Sequence, residues 1–265
     1  MIGMNDWLTI TRGDGPLIIS VPHAGTHIPK DIVPALRDRD LAISDADFYV
    51  DRLYQFATQH AVTLITTSVS RTVIDVNRDP SGSSLYPGQA TTGLCPTERF
   101  DGTPLYHAGR EPDQAEIARR RALYFNPYHA ALHDEIERLR TRHPKVVLYD
   151  AHSILSNVPR LFPGELLQFN IGSFDGKSCA PALTGAVSAA CGESQIVNGR
   201  FKGGWITRHY GAPTRGVHAI QMELAMRSYL DEAGPWPPIW EPDRAAPLQT
   251  VLRHIITACL TFAKD

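Results

Sequence analysis

The stretch Pro16-Leu-Ile-Ile-Ser-Val-Pro-His-Ala-Gly25 and its counterpart Lys145-Val-Val-Leu-Tyr-Asp-Ala-His-Ser153 decide how this chain is read. Each opens on a short apolar run rich in β-branched residues, the pattern of a strand buried on both faces. Prolines bound the first run and mark where the strand gives way to a loop. Each run then delivers a histidine, His23 or His152. A third segment, Val217-His-Ala-Ile-Gln-Met-Glu223, repeats the pattern with an acid at its end. Strand ends are where open α/β sheets build their sites.

Outward from these runs, Val50, Leu53, Tyr54 and Ala57 recur at helical spacing, with Ser44 or Asp45 as an N-cap. Val62–Thr67 and Arg71–Val76 are β-branched and predict strands. Asp79–Gly109 is dense in Gly, Pro, Ser and Thr, with turns expected at Tyr86–Gln89 and Asp101–Pro104. So long a loop in a compact domain is usually functional or poorly ordered. Helical spacing resumes over Pro112–Arg142, with a break or bend near Pro127. Beyond the second run, Leu166–Ile171 is extended, Ala180–Cys191 helical and Gln195–Val197 a strand. Gly216–Leu224 is a strand leading into a helix, and Pro247–Ala263 is the last helix. This alternation predicts an α/β fold: a mixed, mainly parallel sheet covered by helices on both faces.

The bulk numbers set limits on partners. With 265 residues and 43% hydrophobic content, one domain spanning residues 1–265 is expected. A formal net charge of -2 gives no global field for nucleic acid or an anionic membrane, so any anion must be recognised locally. Met1–Arg12 lacks the basic start and apolar run of a signal peptide, which predicts a soluble, cytoplasmic protein. Cys95, Cys179, Cys191 and Cys259 are widely spaced and read as reduced core residues.

Zinc takes imidazole and carboxylate ligands, and a catalytic site leaves a fourth position for water. His23, His152 and one acid would meet that requirement, although a lone strand-end histidine is more often a hydrogen-bonded structural residue. Asp45, Asp47 and Asp51 are candidate acids that also suit a helix N-terminus. Glu223 ends an apolar strand, where an unpaired carboxylate is costly, so it wants a function or a partner such as Arg215 or Arg227. His129 and His133 have the spacing of a helical metal pair but lack the glutamate that follows the first histidine in metalloproteases. Their flanks read as an ordinary amphipathic helix.

Five motifs in order, Val21-Pro-His-Ala-Gly-Thr26, Ser70-Arg-Thr-Val-Ile-Asp-Val-Asn-Arg78, Leu85-Tyr-Pro-Gly-Gln-Ala-Thr-Thr-Gly-Leu94, Tyr149-Asp-Ala-His-Ser153 and Gly203-Gly-Trp-Ile-Thr-Arg-His-Tyr-Gly211, together resemble the N-formylglutamate amidohydrolase family. The likeness runs from about Pro16 to Leu230. A more distant similarity, through Arg71, Asn77-Arg78, Asp150-Ala-His152 and Ser156-Asn157, is to the aspartoacylase and succinylglutamate desuccinylase group. That group implies a three-layer, zinc-carboxypeptidase-like fold.

The resemblance implies one zinc ion, with other divalent metals as alternatives, held by His23, His152 and an acid. The distant relatives place a glutamate three residues after the first histidine, where this chain has Thr26. Among the three aspartates Asp47 is favoured, within the Asp-x-x-x-Asp spacing of the closer family. By the same resemblance Asp150 orients a ligand, Glu223 is the general base and Arg71 faces the scissile carbonyl. Asn77 and Arg78 hold a carboxylate, and His209 belongs to a family-like segment without an assigned role. The competing reading pairs Arg71 and Arg78 with Asp75 and Asp79 in a surface network. The implied reaction is hydrolysis of N-formyl-L-glutamate to formate and L-glutamate, the last step of a histidine degradation route, with the Asp79–Gly109 loop as a cover over the site. The alternatives are an amidohydrolase for another N-acyl amino acid, or a non-catalytic carboxylate-binding protein of the same fold. The resemblance is silent on oligomeric state.

Overall fold

A computed structural model describes residues 6–85 and 88–265. Its strands are β1 (Leu8–Thr11), β2 (Leu17–Val21), β3 (Thr63–Thr67), β4 (Val146–Ile154), β5 (Phe169–Gly172), β6 (Gln195–Val197) and β7 (Val217–Ala225). They form a seven-stranded sheet in the order β1-β3-β2-β4-β7-β5-β6. β3, β2, β4 and β7 are mutually parallel, β1 and β5 are antiparallel to their neighbours β3 and β7, and β6 runs parallel to β5. The expected mixed α/β sheet is therefore present.

The helices are α1 (Arg39–Ala42), α2 (Val50–Tyr54), α3 (Gln114–Arg120), α4 (Asn126–Arg140), α5 (Pro181–Cys191), α6 (Trp205–Tyr210) and α7 (Pro242–Lys264). Side chains alternate across a strand, so each central strand feeds two cores. Ile19, Tyr149, Ala151, Ile220 and Met222 face α2, α5 and α7, meeting Leu53, Leu183, Val187, Leu252 and Ile256. Ile18, Val146, Leu148 and Ala219 face α4 and α6, meeting Tyr128, Leu132, Ile136 and Ile206. None of the helices among the described residues is long and apolar enough to cross a membrane.

Several expectations change. Arg71–Val76 is a series of turns, not a strand. Both edges of β3 are already taken by β1 and β2, and Asp75 draws the chain into a turn by accepting from the Asn77 backbone N–H at 2.9 Å. Neither Ser44 nor Asp45 caps α2: Ser44 Oγ donates to Leu41 O, and Asp45 accepts from the Phe100 N–H at 2.7 Å. The residue before α2 is instead Tyr49, with a left-handed backbone at φ 61°. The bend near Pro127 is a π-helical turn, Arg121–Phe125, joining α3 to α4 where proline has no N–H to offer. A short 3₁₀ turn, Met226–Ser228, follows β7 in place of the expected helix. α7 starts at Pro242, so Pro247 lies within it rather than at its start. β1 adds an edge whose alternation is only four residues long. The turn at Asp101–Pro104 forms around Gly102 at φ 91°. Of the turn expected at Tyr86–Gln89, Tyr86 and Pro87 lie outside the described residues, as do Met1–Asn5 of the first segment.

The loop that carries His23 off β2 runs hard against the β3 exit, with His27 N–H on Ser68 O at 2.8 Å. A Cβ on Gly25 would meet the Ser68 carbonyl carbon at 2.4 Å, whereas one on Gly185, exposed in α5, meets nothing within 4 Å. Gly25→Ala should therefore lower stability by about 1–3 kcal/mol, and Gly185→Ala should raise it by about 0.5–1 kcal/mol. Urea denaturation of the two variants checks this, and equal effects would contradict it.

Candidate active site

Strand register assembles the first half of the site. Ser20, Asp150 and Gln221 form one row across β2, β4 and β7, and His152 pairs with Glu223 in the row above. Residues two apart share a face, so Asp150, His152, Gln221 and Glu223 make a polar patch at the C-terminal ends of β4 and β7. β4 extends to Ile154, so His152 lies inside the strand. His23 stands two residues beyond β2, and its carbonyl accepts from the Asp47 N–H at 3.0 Å. That bond and the left-handed turn at Tyr49 bring Asp47 to the two histidines.

One nitrogen of each histidine turns inward and the other is tied to its own carboxylate. His152 Nδ1 is 3.0 Å and His23 Nδ1 3.7 Å from the same oxygen, Asp47 Oδ2. On the outer side, His23 Nε2 lies 2.8 Å from Asp75 Oδ1 and His152 Nε2 3.0 Å from Asp150 Oδ2. His23, Asp47 and His152 offer one donor atom each within 4.8 Å of one another, all buried. His23 Nδ1 is buried with no hydrogen-bond partner. Metal-binding histidines typically bond a carboxylate through the outer nitrogen, which fixes the tautomer and aims the inner lone pair at the ion. Two imidazoles, one carboxylate and an unpartnered inward nitrogen fit a divalent metal.

Asp75 is the hub of the second half. It is fully buried and meets Arg71 Nη2 at 2.7 Å, Arg78 Nη1 at 3.4 Å and His23. Arg71 also reaches Asp47 Oδ1 at 3.4 Å and lies 4.7 Å from the centre of the Phe100 ring. Arg78 donates to Thr92 O and Thr92 Oγ1, both at 3.0 Å. Asn77 Nδ2 lies 3.0 Å from Asp150 Oδ2 and 2.8 Å from His152 Nε2, while its Oδ1 accepts from the Ile206 N–H. Arg71 and Arg78 thus do share Asp75, in a buried knot rather than a surface network, and Asp79 is turned away to the Ser81 N–H.

The electrostatics follow from this packing. Burial alone would raise Asp47, but the hydrogen bond from His152 and the nearness of the His23 ring outweigh it and hold the carboxyl well below its usual range. Burial of Asp75 is likewise outweighed, by Arg78, His23 and Arg71. Burial would lower His152, yet Asp150 and Asp47 hold it protonated well above the ordinary histidine value. The cluster is built to receive positive charge. Glu223 behaves oppositely: burial pushes its carboxyl up to about 8. Its partner is the Gln221 amide at 3.3 Å, while Arg215 goes to Glu137 and Arg227 to Glu165.

These groups line one cavity: His23, Arg71, Asn77, Arg78, His152 and Glu223 all face it. Gln221, from the same strand end as Glu223, also lines it, as do Phe100 and Arg200, which were not anticipated because each arrives from a segment without local pattern. Of the three aspartates, Asp47 joins the histidines, Asp45 holds the Phe100 backbone, and Asp51 lies in the first turn of α2. His209 is exposed and stacks on Trp205 at 4.8 Å, outside this lining. His129 is tied to Val76 O and Tyr210 OH, and burial pushes it down to about 4, so it is a neutral structural residue at pH 7. His133 is exposed.

Residues 15–230 match the family model described as N-formylglutamate amidohydrolase. The chain is 41% identical to an N-formylglutamate deformylase of Pseudomonas aeruginosa over 99% of both chains. It is 40% identical to one of Pseudomonas putida over 99% of this chain and 98% of that one. A solved N-formylglutamate amidohydrolase from Ralstonia eutropha JMP134 superposes with a TM-score of 0.79 at 27% identity, covering 97% of each chain. By sequence motif, fold and matched length, the chain belongs to the N-formylglutamate amidohydrolase family.

Proposed function

We propose that this chain hydrolyses N-formyl-L-glutamate to formate and L-glutamate in the cytoplasm, as the last step of a histidine degradation route, using one zinc ion. His23, Asp47 and His152 hold the metal. A bound zinc ion would lower the pKa of water towards about 7 and polarise the formyl carbonyl. The observation that carries the reading is Glu223, a buried acid directly across from His152 whose hydrogen-bond partner among the described residues is an amide.

Each side chain then has a task. Glu223 takes one proton of the attacking water and passes it to the departing nitrogen as the C–N bond breaks, so that formic acid and a neutral amine leave, and the acid's remaining proton ends on the amine or in solvent, giving formate. Its raised affinity for a proton suits the second half of that transfer. Arg71, held between Asp75 and the Phe100 ring, faces the negative charge that develops on the carbonyl oxygen. Arg78, with Asn77 beside it, grips the carboxylate next to the amide, as a guanidinium does through paired N–H donors. Asp75 and Asp150 keep the ligand imidazoles in one orientation.

Glu223→Gln should retain stoichiometric zinc and lose about 10²–10⁴ in turnover, measured by formate release together with metal content. Wild-type turnover in that variant would remove Glu223 from the reaction.

A pH prediction follows for the metal-free protein. The folded-state value of Glu223, about 8, lies above the unfolded 4.5. Its contribution to stability is therefore complete below pH 4.5 and is lost as pH rises through 8. In chelator, wild type should lose stability relative to Glu223→Gln between those limits, and parallel curves would contradict the buried neutral acid.

A further inference from the structure

The start of α6 bears on the site through its backbone. Gly204 N–H donates to Gln221 Oε1 at 2.7 Å, Trp205 N–H to Asn77 O at 3.3 Å and Ile206 N–H to Asn77 Oδ1 at 2.8 Å. Two glycines make this approach possible. Gly172 of β5 stands opposite Gln221, and a Cβ on it would meet Gly203 N at 2.6 Å. A Cβ on Gly204 would meet the Asn77 amide at 2.5 Å. A peptide N–H can only donate, so each amide must turn its oxygen to α6 and its NH2 group away. For Gln221, buried in the middle of β7, that leaves Nε2 facing Glu223 Oε2 at 3.3 Å. The backbone of Glu223 is itself fixed, paired with His152 on one side and Asn170 on the other, with Asn170 Nδ2 donating to Glu223 O at 3.1 Å. The freedom that remains is in the Glu223 side-chain torsions, and among the described residues the Gln221 amide is the hydrogen-bond partner that limits them.

We propose that Gln221 is a positioning residue: locked by the Gly204 N–H, its amide holds Glu223 Oε2 and so turns Oε1 towards the water and the departing nitrogen, a role that rests on Glu223 being the base of the reaction proposed above. A neutral N–H donor suits a group that gains and loses a proton in each cycle. It can donate to a carboxylate oxygen or to the carbonyl oxygen of the acid, whereas a cation in its place would favour the charged form alone. The two ends of the amide have separate tasks. The oxygen ties α6 to the sheet, and the NH2 group orients the acid. A strap for α6 needs the oxygen alone; the aim of the NH2 group at Glu223 is what the positioning role adds.

The test is a double-mutant cycle on zinc-loaded protein, with formate release from N-formyl-L-glutamate as the rate. Gln221→Met, which removes the donor without adding charge, should lower kcat about 10- to 100-fold and leave KM within about threefold of wild type. In a Glu223→Gln background the same change should cost less than about twofold more, since a residue that acts through Glu223 has nothing left to act on. If Gln221→Met fails to fold for want of a partner for the Gly204 N–H, Gln221→Glu keeps that acceptor, sets a carboxyl against Glu223 and should show the same split between kcat and KM. Crystal structures give a readout independent of turnover: Glu223 should leave its wild-type position in the Gln221 variant, with zinc content unchanged. Equal losses in both backgrounds would make Gln221 a strap for α6, and a rise in KM at constant kcat would make it a substrate contact. Either result, or an unmoved Glu223, overturns the proposal. If Glu223→Gln turns over like wild type, or wild type releases no formate, the reaction proposed above falls, while the position of Glu223 in the crystals still decides on Gln221.

Discussion

Two buried carboxylates, Asp75 and Asp150, each hold the outer nitrogen of one histidine, and the surrounding structure exists largely to make that arrangement tolerable. A carboxylate taken out of water is costly unless its oxygens are met by donors. Asp75 is met by Arg71, Arg78, His23 and the Asn77 N–H. Asp150 is met by His152, Asn77 and Ser20, and Ser20 is in turn bonded to Tyr128 of α4. Through these contacts the loop after β3, the middle strands and one helix all bear on the orientation of two imidazole rings. Asp47 then faces both inner nitrogens, and its charge sets the sign of what the cluster will accept.

The division of the sheet into two faces lets so polar a site coexist with a full core. On the face toward α7, β4 and β7 present Tyr149, Ala151, Ile220, Met222 and Leu224 without interruption. On the other face the apolar row of Val146 and Leu148 gives way to Asp150 and His152, and Ile154 returns to hydrocarbon. The polar patch is only two rows deep. Glu223 sits at its edge, close enough to His152 to feel its charge and dry enough for burial to dominate its proton affinity.

What was legible in the sequence was local. Proline-bounded and β-branched runs marked β2, β4 and β7, because burial on both faces leaves little choice of residue. The histidines and Glu223 stood out as polar groups at the ends of those runs. Asp47 is favoured over Asp45 and Asp51 by resemblance alone; what turns it toward the histidines is the chain direction at Tyr49, a left-handed residue that no side-chain pattern announces. Arg71–Val76 carried strand-like residues, but the hydrogen bond from Asn77 N–H to Asp75 overrode propensity with a turn. Asp75 as a hub, Phe100 over Arg71 and Arg200 in the cavity lining were not legible, since each becomes part of the site only through contacts between distant segments.

The proposed cleavage of a formamide depends on a metal held by two imidazoles and one carboxylate. Formate released from N-formyl-L-glutamate by the purified protein, followed before chelation, after it and after adding back zinc, tests it most directly. Release should be lost with the metal and recovered with zinc. Undiminished release from protein shown to be metal-free would contradict it.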